Sequence, residues 1–333
     1  MTSETKKETK ITKEGKLTTF TVHSRPITDL AFNEDGDLLF STSLDGLLCA
    51  WRTNGIFLGS YDGHEGTIWC LSVDPFSTHL MSGGADNAAI LWELETGKQI
   101  SKITTNSMVR GLNFFRDGQK CLITTDTSYS QRSLIGIFDI RSNALSFKIN
   151  PDVSVTKGIV DFSENLVAFS DSTGEISLLD IRNEKIIKSV KVHTSRINNL
   201  RLSFCRTFFS TASSDAQAKI VDFENISVMK TFTAEEPLNS SVIFRTNDKL
   251  IAAGGIAARD VTQTKGKDSF DVNFYDIPTA KMVGTYSLHF GTINCVDVHP
   301  SNNYFCSGGE DGIISFLEFG SEFSKAPFSK LEI

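Results

Sequence analysis

One spacing recurs four times in this 333-residue chain: a histidine is followed by an aspartate 22 residues later. A small hydroxyl residue stands four positions before each aspartate, and a large apolar or aromatic residue stands six positions after it. A catalytic His–Asp pair occurs once in a domain, so a pair that recurs at fixed spacing indicates a structural repeat. The four sets are His23, Ser41, Asp45 and Trp51; His64, Ser82, Asp86 and Trp92; His193, Thr211, Asp215 and Val221; and His289, Ser307, Asp311 and Leu317.

The same phase continues through three further units that lack the histidine, which gives seven units, most of about 41 residues. Two units are longer, by about five residues within TDTSYSQRS and by about thirteen within GGIAARDVTQTKGKDSF. Each unit consists of short runs rich in Ile, Val, Leu, Phe and Thr between Gly, Asp and Asn turns, without a sustained helical period. Four strands in each of seven units predict an all-β chain, folded as a seven-bladed β-propeller.

The last unit reaches only its third strand, IISFLEF. The missing strand is available at the other end of the chain, as LTTFTV at Leu17–Val22. Pairing the two would close the ring and remove two exposed sheet edges. The sequence therefore predicts a flexible N-terminal tail over residues 1–16, a propeller over 17–320 closed by an N-terminal strand, and a C-terminal tail over 321–333.

Composition and motifs exclude several classes of function. The formal net charge of −7 argues against broad binding to nucleic acid or anionic membrane, so we expect no direct sequence-specific contact with nucleic acid. The six cysteines show no paired spacing, and the sequence has neither a secretory signal nor an 18-residue apolar run. We therefore expect a cytoplasmic protein with free thiols and no membrane attachment. The phosphate-binding glycine patterns are missing, and we expect no cofactor.

The recurring His, hydroxyl, Asp and Trp positions favour a structural interpretation. A hydrogen-bonded chain running from Asp to His, to Ser or Thr, and then to Trp would satisfy buried polar groups within each blade. Metal ligands have to converge on one point, whereas these residues are spread around a ring. We therefore expect no catalytic or metal-binding residue and no enzyme activity. An active site in the central channel is the alternative, and it requires converging polar groups that the sequence does not reveal.

Two surfaces are candidates for binding partners. Arg25, Arg110 and Arg196 lie near the starts of first strands, on the face of the histidine loops, where they could bind acidic or polar groups. The other surface is the opposite face and outer rim near units five and six, where an exposed Ile220 beside Asp222 would accept an amphipathic helix that carries an arginine. Solvated loop arginines and simple packing of Ile220 are the alternatives.

The four-part repeat resembles the WD40 family over Leu17 to Phe319. Several segments are similar, more narrowly, to the family of the i subunit of eukaryotic translation initiation factor 3. They include HSRPITDLAFNEDGDLLFS, GADNAAILWELETGKQ, GGIAARDVTQT and HFGTINCVDVHPSNNYFCSGGEDG. The third of these begins an insertion that the fold does not require, so it carries family information beyond the repeat.

This resemblance implies a non-catalytic scaffold that binds the C-terminal helical segment of subunit b and also subunit g. Such a scaffold supports recruitment of mRNA and initiator tRNA to the small ribosomal subunit, which we expect it to contact mainly through its partners. The implied site for the subunit b helix maps here to Ile220 and Asp222. A WD40 signalling adaptor for a receptor kinase is the alternative function.

Overall fold

The computed structural model describes residues 6–12, 15–256 and 270–320. Within these ranges the chain forms 29 strands in seven antiparallel sheets, and one 3-10 helix at Ser128–Ser130. The first strands of neighbouring sheets contact each other in an unbroken circuit, so the sheets are blades around a central channel. The prediction of an all-β, seven-bladed propeller is confirmed.

The strands follow one another along the chain and pair in order within each blade. The N-terminal pair is β1 (Lys6–Thr12) and β2 (Gly15–Thr21). Blade 1 contains β3 (Ile27–Phe32), β4 (Leu38–Ser43), β5 (Leu48–Arg52) and β6 (Phe57–Tyr61). Blade 2 contains β7 (Ile68–Val73), β8 (His79–Gly84), β9 (Ala88–Glu93) and β10 (Gln99–Thr104). Blade 3 contains β11 (Val109–Phe114), β12 (Lys120–Thr125), β13 (Ile135–Asp139) and β14 (Ala144–Ile149).

The second half of the ring repeats this arrangement. Blade 4 contains β15 (Val155–Val160), β16 (Leu166–Asp171), β17 (Glu175–Asp180) and β18 (Lys185–Lys191). Blade 5 contains β19 (Ile197–Leu202), β20 (Phe208–Ser213), β21 (Gln217–Asp222) and β22 (Val228–Thr233). Blade 6 contains β23 (Leu238–Ile243), β24 (Lys249–Gly254), β25 (Asp271–Asp276) and β26 (Lys281–Ser287). Blade 7 contains β27 (Ile293–Val298), β28 (Tyr304–Gly309), β29 (Ile314–Phe319) and, from the other end of the chain, β2.

The predicted closure of the ring is confirmed. Strand β2 pairs antiparallel with β29, with Leu17 opposite Leu317 and Phe20 opposite Ile314. Phe20 is buried, and its ring stacks on Trp51 of blade 1 at 5.3 Å between centroids. The closing strand therefore joins blade 7 and also packs against blade 1.

The N-terminal segment differs from the predicted free tail. Strand β1 pairs with β2 from Lys6 opposite Thr21 to Thr12 opposite Gly15, which makes blade 7 five-stranded. The outer edge of β2 has backbone N–H and C=O groups available for pairing, and β1 pairs with them to become the edge strand. Residues 1–5, 13–14 and 321–333, including the whole predicted C-terminal tail, lie outside the described residues.

The hydrophobic core lies between adjacent blades rather than at one centre. Seven clusters of buried side chains occupy the spaces between neighbouring sheets. The residues in the tryptophan phase all lie in third strands and are buried: Trp51, Trp92, Phe138, Leu179, Val221, Tyr275 and Leu317. All six cysteines are free, and five of them are buried, while Cys205 is half-buried.

Candidate functional site

Blade 1 shows the complete hydrogen-bonded chain. Trp51 Nε1–H donates to Ser41 Oγ at 3.0 Å, and Ser41 Oγ lies 2.8 Å from His23 Nε2. His23 Nδ1 lies 3.2 Å from Asp45 Oδ2. Because a carboxylate only accepts hydrogen bonds, Nδ1 carries a proton and donates it to Asp45, while Nε2 lies within hydrogen-bond distance of the serine hydroxyl. Each polar side chain in this chain of four therefore has a hydrogen-bond partner inside the blade.

The same geometry recurs in blades 2, 5 and 7. The distance from His Nδ1 to the nearest carboxylate oxygen is 3.0 Å in all three. The distance from His Nε2 to the hydroxyl is 2.8 Å for Ser82, 2.7 Å for Thr211 and 2.8 Å for Ser307. Trp92 Nε1–H donates to Ser82 Oγ at 2.8 Å. Blades 5 and 7 lack this last link because Val221 and Leu317 have no donor.

The carboxylates of these chains are stabilised in their ionised form. Burial alone would raise the pKa of Asp45, but the hydrogen bond and the charge of His23, with the backbone N–H groups of Leu47 and Ser24, outweigh burial and lower it. The pKa values of Asp86, Asp215 and Asp311 are lowered in the same way. Burial lowers the pKa of His193, which favours the neutral imidazole.

These contacts leave the four histidines without a free functional atom. Both ring nitrogens have partners inside the blade, and the four sets lie one per blade around the ring. No group of three or more His, Cys, Asp or Glu side chains suited to a metal ion occurs among the residues that the structure describes. The arrangement therefore connects the loop before each first strand to the second and third strands. Its ring nitrogens are already engaged in these contacts.

The third unit stabilises the same loops by other means, which the sequence analysis did not identify. In blade 3, Thr105 Oγ1–H donates to the carbonyl oxygen of Ser107 at 2.7 Å, in place of a histidine contact. Asp126 instead accepts from Arg110 Nε at 3.0 Å. The lengthened loop of blade 3 lies between β12 and β13, and the insertion of blade 6 lies between β24 and β25, so both follow second strands.

The three arginines of the histidine face differ in what they contact. Arg25 is exposed. Arg110 is half-buried, with its guanidinium 4.1 Å from the centre of the Trp69 ring. Burial lowers the pKa of Arg196, and the charge of Arg110 lowers it further, so the charges of these two arginines act on each other. The structure thus brings Arg110 and Arg196 into one region and gives no interaction that joins Arg25 to them.

The predicted exposure of Ile220 is wrong. Ile220 is 1% exposed and belongs to the cluster between blades 5 and 6. The physical reason is that a third strand has packed neighbours on both of its faces, so its apolar residues do not reach solvent. Asp222, at the end of the same strand, is half-buried, and its Oδ1 accepts from the backbone N–H of Asn225 at 2.8 Å.

Exposed apolar side chains lie on the outermost strands of blades 5 and 6, and two of them are close to Asp222 along the chain. Val228 is 44% exposed, Met229 is 55% exposed and Met282 is 47% exposed. Lys230 Nζ donates to the carbonyl oxygen of Pro278 at 3.1 Å, which ties the two blades together there. We call Val228, Met229 and Met282 the apolar rim. Sequence reasoning missed it because outer-strand residues do not follow the burial pattern of inner strands.

The central channel gathers charged groups that the sequence did not reveal. Arg201 of blade 5 donates to Asp29 Oδ1 of blade 1 at 3.3 Å, and Lys157 Nζ lies 4.0 Å from Asp29 Oδ2. Backbone N–H groups donate to both oxygens of Asp29 and to both oxygens of Asp297. One donor to each carboxylate lies on the neighbouring blade, Leu71 for Asp29 and Phe32 for Asp297, so both carboxylates link blades.

Comparison with known proteins supports a single family. A family model described as EIF3I matches residues 17–329. The protein named eukaryotic translation initiation factor 3 subunit I is 35% identical in Nematostella vectensis, covering 92% of this chain and 97% of the relative. Its namesake in Xenopus tropicalis is 34% identical, covering 90% and 95%, and that in Homo sapiens is 32% identical, covering 92% and 97%.

Within the described ranges, no helix has the length and apolar character needed to cross a membrane. The match extends over nearly the whole propeller, so it includes the blades in which the histidine chains are missing as well as those that carry them. The resemblance found in the sequence is confirmed: the chain belongs to the EIF3I family, that of translation initiation factor 3 subunit I.

Proposed function

We propose that this protein is a non-catalytic scaffold subunit of the cytoplasmic translation initiation factor 3 complex. Its propeller binds the C-terminal segment of subunit b and also subunit g. Through them it supports recruitment of mRNA and initiator tRNA to the small ribosomal subunit, which it contacts mainly indirectly. The observation that carries this proposal is membership of the family over nearly the entire chain.

The surface features of blades 5 and 6 support a helix site there. The apolar rim provides three exposed side chains on the outermost strands of two neighbouring blades. An amphipathic helix places apolar residues at three- and four-residue spacing, which suits such a surface. Asp222, half-buried beside it, accepts only one backbone hydrogen bond from the described residues and retains oxygen capacity for an incoming arginine.

Asp222 also stabilises its own turn, so its substitution needs a matched control. Asp139 occupies the equivalent position at the end of the third strand of blade 3, and its Oδ1 accepts from the backbone N–H of Arg141 at 2.9 Å. Asp139→Lys therefore removes the same kind of turn contact on a distant blade. A difference between the Asp139→Lys and Asp222→Lys variants isolates the effect on the partner from the effect on the turn.

The experiment is a pull-down of tagged full-length protein from native lysate, run alongside a sucrose gradient. We expect recovery of subunits b and g and migration with the small ribosomal subunit. We expect Asp222→Lys and Met229→Asp each to weaken recovery of subunit b about tenfold, as loss of an interface anchor does. Asp139→Lys should leave recovery unchanged.

Two results would contradict parts of this proposal. Absence of both subunits, with receptor kinases recovered instead, would replace the scaffold role with that of a signalling adaptor. Recovery of subunit b that falls equally in Asp222→Lys and Asp139→Lys would retain the scaffold role but remove the helix site from blades 5 and 6.

A further inference from the structure

The channel opens on the face opposite the histidine loops into a cavity of about 820 Å³. The turns between first and second strands surround this opening, and three of them present phenylalanines to solvent. Phe76 is 63% exposed, Phe162 is 54% exposed and Phe204 is 62% exposed. Three large apolar side chains around one opening form a clustered apolar patch, which is typical of a binding surface.

Arginines alternate with these phenylalanines around the opening. The guanidinium of Arg116 lies 4.4 Å from the centre of the Phe162 ring, and that of Arg245 lies 4.7 Å from the centre of the Phe204 ring. Each contact is within the range of a cation–π interaction, which orients the planar guanidinium group. We call Phe76, Phe162, Phe204, Arg116, Arg206 and Arg245 the channel mouth.

The charges of the channel mouth are only partly neutralised. Arg245 pairs with Glu34 at 2.8 Å. Arg116 and Arg206 have no carboxylate within ion-pair distance among the described residues. Burial lowers the pKa of Arg206, and the charge of Arg116 lowers it further, against the attraction of Glu164, Glu34 and Asp161. Two neighbouring guanidinium groups, neither of them in an ion pair among the described residues, form a site where an incoming anion is favoured.

We propose that the channel mouth docks a short acidic peptide segment that also carries large apolar side chains. The carboxylates of the segment bind Arg116 and Arg206, and its apolar side chains pack against Phe76 and Phe204 and enter the cavity. This site is separate from the apolar rim, since it is built from inner turns around the channel and not from outer strands. It therefore does not depend on the helix site proposed for subunit b.

The observations favour a peptide over single-stranded nucleic acid. A guanidinium already lies over Phe162 and another over Phe204, so these rings have one face less for stacking bases. The inner wall of the cavity includes Asp29 and Asp297 beside Arg201 and Lys157, and both of these basic residues already pair with Asp29, so the wall offers a phosphate backbone no continuous positive groove. A peptide with a few carboxylates can hold them at the mouth while its uncharged side chains pass these aspartates.

The test is fluorescence polarisation on the full-length protein, with a short labelled peptide of alternating Glu and Phe as the probe. The comparison probes are a peptide in which Lys replaces Glu and an oligouridylate of similar length. We expect binding of the Glu–Phe peptide alone, weakened by added salt. Arg116→Glu and Phe204→Ala should each weaken binding about tenfold. Arg141→Glu, at an exposed arginine of an outer turn, is the matched control and should leave binding unchanged.

Melting temperatures of the variants check that the fold is retained, which we expect because Arg116 and Phe204 are exposed. Equal binding of the Lys peptide, preferential binding of the oligouridylate, or an equal loss in Arg141→Glu would each overturn the proposal. Failure to bind any of the probes would overturn it as well. None of these outcomes bears on recovery of subunits b and g, so the two proposals fail separately.

Discussion

Asp45 is a nearly buried carboxylate that nevertheless keeps its charge. Its side chain is 8% exposed, and its oxygens accept from His23 Nδ1 and from the backbone N–H groups of Ser24 and Leu47. Hydrogen bonds to the ionised form offset the cost of burying it. One residue thus holds together the loop before the first strand and the turn between the second and third strands of its blade.

The lowered pKa of Asp45 makes this contribution dependent on pH. Because the folded-state pKa lies below the unfolded value of about 3.9, the stabilisation is present above that value and is lost as pH falls through the folded pKa. We expect Asp45→Asn to lower the free energy of unfolding by about 2 kcal/mol near neutral pH, as for a charge-assisted hydrogen bond. This gap, the difference in free energy of unfolding between the wild type and Asp45→Asn, should narrow below about pH 4.

Urea unfolding at a series of pH values measures this gap. Asp152→Asn is the control, since Asp152 pairs with Arg132 where both side chains are more than two-thirds exposed, and such pairs contribute little. Asp86, Asp215 and Asp311 are present in both proteins, so the difference between the proteins reports on Asp45. A gap that stays constant into the acid range would show that the carboxylate charge is not its source.

At the scale of the element, sequence reasoning identified the strands but not all of their surroundings. The repeat placed Trp51 and Val221 correctly in third strands because the spacing is dictated by the blade. It could not show that Ile220 is buried, since both faces of an inner strand are packed in a propeller while the sequence pattern marks only the strand. Strand β1 was missed because it pairs with the outer edge of β2 through its backbone, which depends little on an apolar sequence pattern.

The closing strand β2 provides the sharpest test at this scale. Phe20 is 1% exposed and packs on Trp51 and on Phe316, at 5.3 Å and 6.1 Å between ring centres. We expect Phe20→Ala to lower the free energy of unfolding by about 4 kcal/mol, as for loss of a buried aromatic side chain. We also expect it to loosen the pairing of β2 with β29. Hydrogen exchange of a peptide covering β29 should accelerate, because its outer edge loses a stable partner.

Phe57→Ala is the matched control for this substitution. Phe57 contacts the same indole ring, at 5.1 Å from Trp51, but lies on the outermost strand of blade 1 and is only half-buried. Phe57→Ala should lower the free energy of unfolding less than Phe20→Ala does, and it should leave hydrogen exchange in β29 unchanged. Unchanged exchange in β29 of the Phe20→Ala protein would mean that backbone pairing alone closes the ring.

At the scale of the whole molecule, the channel charges join blades that are far apart in sequence. Arg201 donates to Asp29 Oδ1, a contact between residues 172 positions apart, and to the carbonyl oxygen of Leu30 at 2.9 Å. Burial alone would lower the pKa of Arg201, but the charges of Asp297 and Asp29 outweigh it and raise it. No local sequence pattern indicates such a contact, because it exists only once the ring has closed.

Removing this arginine leaves carboxylates inside the channel with a weaker counter-charge. We expect Arg201→Met to lower the free energy of unfolding by about 3 kcal/mol, the lower end for a broken buried pair, because Lys157 stays 4.0 Å from Asp29. Adding Asp29→Asn should restore part of that loss, since it removes the unpaired charge. Urea unfolding of the two single variants and the double variant gives the coupling free energy, for which we expect about 1–3 kcal/mol.

Arg141→Met is the control, because Arg141 lies 3.8 Å from Asp139 on the surface with its side chain 69% exposed, and it should change stability little. Additive effects of Arg201→Met and Asp29→Asn would show that the pair does not act as a unit. The backbone N–H groups that donate to Asp29 and Asp297 would then suffice to link the blades, and the arginine would only neutralise charge. A measured coupling would instead show that the ion pair across the channel helps to hold blades that are distant in sequence in one ring.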